Sequence, residues 1–187
     1  MEKQAYEVFK ELRKTLRLFK KVDAMGLRQH SNAVMKRASI EGSQALAQTA
    51  VISYVFHKLL TKEHITRHEK WKGNSAALVT AINSALEALQ EGNIKAFNSS
   101  MDSFSKHLKK IDFFFSRFVQ GLMAKARVRY AADAYFYGLS LSSAAALTGA
   151  DKRKLQEFVG ATTLSEKEKV FHGIKQRLEA MKKELGE

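Results

Sequence analysis

Cysteine is absent from the 187 residues. That excludes disulfides, thiolate metal sites and cysteine nucleophiles, and it fits a reducing compartment. Proline is absent too, where average usage would supply roughly nine in a chain this long. Long uninterrupted helices tolerate that lack, whereas sandwiches and loop-rich folds carry proline at turns and edges. No stretch reaches about 18 apolar residues free of charge, so no transmembrane helix is expected. The opening MEKQAYEVFKELRKTLRLFKK alternates charged and apolar positions and holds no signal-peptide core. The expected location is the cytoplasm, with no membrane partner. Acids are the scarce charge: 19 Asp+Glu face 32 Lys+Arg, a net +13. Such a surplus favours a polyanionic partner, nucleic acid before an acidic surface.

The remainder is ordinary globular composition, 45% hydrophobic and 27% charged. A chain of this size buries about 70% of its unfolded surface and needs no staples. Apolar spacing predicts helices throughout. Tyr6, Phe9, Leu12, Leu16 and Phe19 form one stripe at spacings of three and four, with Gly26 as the expected break. Residues 28–62 read as one helix or two broken near Gly42. The uncharged run from Gly42 to His57, interrupted by Ser43, Gln44, Gln48, Thr49 and Ser53, predicts a central buried helix. Residues 63–74 are polar, and Ser75 is placed to cap the next helix. That helix has the stripe Leu78, Ala81, Ile82, Ala85, Leu86 and Leu89. After Gly92-Asn93, a seam of Ile94, Phe97, Met101, Phe104, Leu108 and Ile111 predicts a hairpin over 75–111. Further helices are expected up to Gly138, at about 141–148 and 151–159, and at 165–185, the last with a Ser165/Glu168 capping box.

Charge is unevenly spread. Residues 1–39 and 106–169 each carry +6, while residues 73–105 carry −2. Lys106, Lys109, Lys110, Arg117, Lys125, Arg127 and Arg129 run through the helices before residue 138 with few acids among them, so pairing within a helix cannot absorb the charge.

Residues 139–160, LSLSSAAALTGADKRKLQEFVG, fit the requirements of two short helices crossing at a tight turn. Ala145 is small where the second helix crosses the first. Gly149, four residues on, can take a left-handed conformation. Ser140 or Ser142 can cap the first helix and Asp151 the second. Ala144 and Leu147 are expected to pack from the first helix, and Leu155 and Phe158 to form the buried pair on the second. Lys152, Arg153 and Lys154 lie at a helix start that prefers anions, so their placement calls for another cause.

The longer stretch AADAYFYGLSLSSAAALTGADKRKLQEFVGATTL resembles the helix-turn-helix of small prokaryotic DNA-binding regulators, including antitoxin-type ones. The likeness covers about 30 residues. Thr148 and Ala150 stand where larger aliphatics are usual, and Glu157 puts an acid near the face expected to meet DNA. The resemblance implies that the second helix enters the major groove. Lys152, Arg153 and Gln156 would then reach bases, and Lys154 a phosphate. Lys109, Lys110, Lys125, Arg127 and Arg129 would supply backbone contacts.

Enzyme signatures are missing. There is no glycine-rich phosphate loop, no Gly-x-Ser-x-Gly, and no Arg followed four to six residues later by His. Asp102, Asp112 and Asp133 are too far apart to form a helical pair. His57, His64 and His68 have suggestive spacing, but the segment is not His-Glu-x-x-His and reads as a polar surface helix. Trp71, between Lys70 and Lys72, reads as a packing residue before a base-stacking one. Phe113, Phe114, Phe115 and Phe118 span too wide an arc for one core, which points to burial on two sides or to a dimer seam.

The expectation is an all-α protein: a helical bundle over 1–137, able to dimerise, and a helix-turn-helix plus closing helix over 138–187. It is read as a non-enzymatic, cofactor-free DNA-binding homo-oligomer, most plainly a regulator of duplex DNA. A non-catalytic helical subunit of a ribonucleoprotein, gripping RNA without reading sequence, is the alternative. A helical enzyme with an unrecognised site is the third reading.

Overall fold

The computed structural model describes residues 3–114 and 121–161. Among them lie nine helices and no strand. The first six are α1 (Lys3–Lys20), α2 (Ala24–Glu41), α3 (Gln44–Leu60), α4 (Glu63–Thr66), α5 (Trp71–Gln90) and α6 (Ile94–Phe114). Then come α7 (Leu122–Phe136), α8 (Leu141–Thr148) and α9 (Lys152–Ala161). The described residues are therefore all-helical, as expected. The helix expected at 165–185, its capping box, Phe115 and Phe118 fall outside the described residues, as do the side chains of Phe113 and Phe114.

Side chains at the helix starts stop the chain from fraying. Asp23 Oδ1 accepts from Gly26 N–H at 2.7 Å, and Asn93 Oδ1 from Ala96 N–H at 3.0 Å. Ser140 Oγ accepts from Ser143 N–H at 3.0 Å, and Asp151 Oδ1 from Lys154 N–H at 2.8 Å. Each cap satisfies one amide that the first helical turn leaves without a partner.

Two boundaries and one stripe residue differ from expectation. Gly26 lies inside α2, and the break comes earlier, at Val22, which takes φ 57°. The Asp23 cap lets α2 start ahead of the glycine. Ser75 lies inside α5, which starts at Trp71, and its hydroxyl donates to the Lys72 carbonyl at 3.1 Å. Tyr6 is 51% exposed. The buried face of α1 centres on Val8, Leu12, Leu16 and Phe19, and Tyr6 stands two residues before Val8, about 200° round the helix.

The chain divides into two compact units, residues 1–28 with 53–122 and residues 29–52 with 123–187. In the first unit α5 and α6 form the expected hairpin, and α1 packs on α5. All six expected stripe residues of α5 are buried. The seam of α6 closes only over its second half: Phe104, Leu108 and Ile111 are buried, while Ile94 is 59% exposed. Ile94 is the first residue after the loop, at the turn end of the hairpin. Aromatic rings fill the centre. Phe19 stacks on Phe56 at 4.0 Å, Phe104 meets Phe56 edge-on at 5.7 Å, and Trp71 meets Phe19 edge-on at 6.3 Å. Trp71 is thus a packing residue. Burying one such phenylalanine contributes about 1.5–3 kcal/mol.

The predicted central helix is α3, broken from α2 at Gly42, where φ is 67°. Its buried polar interruptions have partners. Ser53 Oγ donates to the Leu27 carbonyl at 3.0 Å, and Thr49 Oγ1 to the Ala45 carbonyl at 3.0 Å. His57 is buried, and its Nδ1–H donates to the Ala24 carbonyl at 2.8 Å. In the second unit, fully buried Ser31 and Tyr130 share a hydroxyl hydrogen bond. Ser31 Oγ donates to the Ala50 carbonyl at 2.7 Å and accepts from the Tyr130 hydroxyl, which lies 3.2 Å from Asn32 Oδ1. This network pins α2, α3 and α7 in one arrangement.

Candidate nucleic-acid interface

The candidate interface is built on α7 from Met123 onward, α8 and α9, in the second unit. Ser140 caps α8, which buries Ala144, Ala145, Leu147 and Thr148. Thr148 stands where a larger aliphatic is usual in the resembled pattern, yet its hydroxyl is satisfied, donating to the Ala144 carbonyl at 3.1 Å. Gly149 ends α8 in the left-handed conformation, φ 69° and ψ 27°. Ala150 N–H returns to the Ala145 carbonyl at 3.0 Å. That closes the turn without a side chain. Asp151 then caps α9. Gln44, from α3, donates through Nε2 to the Ala146 carbonyl at 3.2 Å and ties α8 to the body of the unit.

α9 is held mainly by Leu155, which is fully buried. Phe158, expected as its buried mate, is 40% exposed. The reason is angular. Leu155 and Phe158 diverge by about 60° around the helix, while Leu155 and Val159 differ by about 40° in the other sense. The buried direction follows Leu155 towards Val159, which is half-buried.

From Lys152 to Glu157, Leu155 apart, α9 faces solvent. Lys152, Arg153, Lys154 and Gln156 are all exposed. Arg153 is not idle: its Nε pairs with Glu157 Oε1 at 3.2 Å, one turn on. An exposed pair of this kind contributes about 0–1 kcal/mol and yields readily to a better acceptor.

Arg127 reaches the turn. A methyl group placed on Gly149 would lie 3.8 Å from the Arg127 guanidinium. This brings a cation of α7 against the joint of α8 and α9, a juxtaposition no linear spacing announces. Lys125 is exposed, and Arg129 is half-buried on the same helix. Burial pushes the Asp133 carboxyl above its usual range, and the Arg129 charge partly offsets it. Burial also raises the Tyr137 hydroxyl, with the neighbouring Asp133 charge adding to the effect. Arg129 therefore spends part of its charge inside the protein. Lys109 and Lys110 are exposed on α6, in the first unit.

The histidine segment is not arranged as a helical ligand pair. α4 ends at Thr66, before His68. Glu63 pairs with Arg67 at 3.1 Å, and His68 Nδ1 accepts from Lys70 N–H at 3.2 Å. Among the described residues no group of three or more His, Asp or Glu side chains is placed to hold a metal ion. No described helix is long and apolar enough to cross a membrane.

Comparison with family models, with curated proteins and with solved structures finds no match for the chain.

Proposed function

We propose that the chain is a DNA-binding protein that presents α8 and α9 as a helix-turn-helix, with α9 as the recognition helix, and that it acts as a regulator. One observation carries the reading: the capped, glycine-jointed pair α8–α9 leaves Lys152, Arg153, Lys154 and Gln156 exposed at the start of α9, with Arg127 against the joint. Base edges in the major groove are read by side chains placed this way. Cations at a helix start oppose the helix dipole, and a phosphate-rich partner reverses that cost. A second copy of the chain supplies the second half-site in this reading, and the spacing of half-sites follows from the dimer.

The test is selection of a preferred duplex followed by binding of Arg153→Ala. The expected loss is about 1–3 kcal/mol, confined to one base position. Glu157→Gln frees Arg153 and is expected to tighten binding. Equal binding of all duplexes by the unaltered protein would overturn sequence reading. A preference for RNA without sequence selection would point instead to a packing subunit of a ribonucleoprotein.

A further inference from the structure

α1 carries Arg13, Arg17 and Lys20 at positions i, i+4 and i+7, one face of a helix. Their backbone origins step about 6 Å and then about 4.5 Å along the axis. All three are exposed, and none makes a salt bridge to a described carboxylate. They line one side of a groove of about 500 Å³ against α5, within the first unit. The other side bears the amides of Asn83 and Gln90 and, among the described residues, a single acid, Glu87. The floor is Leu16 and Leu86, and both are already buried. Phe9 lies at the mouth with the Arg13 guanidinium 6.0 Å above its ring.

We propose that this groove is a phosphate-binding surface that holds one strand of a nucleic-acid backbone, separate from α9. The occupant follows from what the groove lacks. An amphipathic helix needs apolar pockets for its anchors, and here the leucines are covered and the phenylalanine is capped by an arginine. What remains among the described residues is a line of cations facing two amides, against one carboxylate. That chemistry suits a ligand carrying evenly spaced negative charges and acceptor oxygens. The backbone contact is independent of sequence, so it adds affinity and salt dependence without specificity. The choice of occupant rests on the reading of the chain as a nucleic-acid binder, while the site itself does not involve α9.

The experiment titrates salt against binding of the full chain to two unrelated duplexes and to one mixed-sequence single strand. Three proteins are compared: the unaltered chain, the groove variant Arg13→Gln/Arg17→Gln/Lys20→Gln, and the α9 variant Lys152→Gln/Arg153→Gln/Lys154→Gln. The groove variant should bind all probes about tenfold or more weakly at low salt, and its slope of log K against log salt on duplex should fall by about 2–3. Arg13→Lys/Arg17→Lys should restore most of the loss. Glu87→Lys, which removes the acid described in the groove and adds a cation, should tighten binding, and this holds the test open if the triple variant folds poorly. A groove variant with the unaltered slope, beside a weakened α9 variant, overturns the groove and leaves the α9 reading standing. The reverse result supports the groove and overturns α9. An unaltered chain that binds no probe at low salt, or that takes poly-glutamate instead, overturns the groove.

Discussion

Val22 adopts φ 57° in the link between α1 and α2 and is 67% exposed. A β-branched side chain resists that conformation, at a cost of roughly 1–2 kcal/mol, and its exposure means that little packing offsets it. Val22→Gly is expected to raise stability by up to about 1 kcal/mol, read as a shift in the urea midpoint at constant slope. Asp133 gives a pH-dependent case. Its carboxyl is raised by burial, so the folded state holds the proton to higher pH than the unfolded state does. Stability contributed by this group is therefore greatest below the unfolded value, about 3.9, and falls as pH rises through the folded value. Asp133→Asn should stabilise the protein at neutral pH, and the gain should vanish near pH 3 to 4. Denaturant midpoints across pH would show it, and a gain that is constant with pH would contradict it. Neither residue advertises itself in the sequence. Val22 looks like one more apolar residue, while Gly26 looks like the break. The Asp23 cap decides the matter, because it starts α2 before the glycine.

At the scale of elements, the α8–α9 pair was the most legible part of the chain. Ser140, Gly149 and Asp151 each have a local job that can be read from residue type and spacing, and the structure shows each doing it, while Ala145 is buried. The turn needs no tertiary information because its hydrogen bonds stay within a few residues. Gly149→Ala is expected to cost about 1–2 kcal/mol through the left-handed backbone alone. The added methyl would meet Arg127 only at an ordinary contact distance, 3.8 Å. A thermal scan showing no loss would contradict the strain argument, and Gly149→Asn should lose less than Gly149→Ala. Burial on a second surface was harder to read. Phe158 and Ile94 both keep a helical spacing to buried neighbours, yet each lies past the edge of what its partner helix covers. Periodicity says which residues share a face, and only the neighbouring helix decides how far that face is buried.

For the whole molecule, the legible property was the charge. The basic excess at residues 1–39 and beyond Lys106 is plain from counting. Its grouping was not, because helices bring charges together across long sequence separations. Arg127 meets the turn at Gly149, and Arg13, Arg17 and Lys20 line a groove whose other wall is α5. Lys109 and Lys110, by contrast, belong to a different compact unit from Lys152. The account therefore stands on a polyanionic partner held by separate basic surfaces, one of which selects sequence. The direct measurement is binding of the chain to a labelled duplex across a salt series, with the Lys152→Gln/Arg153→Gln/Lys154→Gln variant beside it. The account predicts tight binding at low salt, a steep fall of log K with log salt, and a slope shallower by about 1–3 in the variant. Absence of duplex binding at low salt, or identical curves for the two proteins, would contradict it.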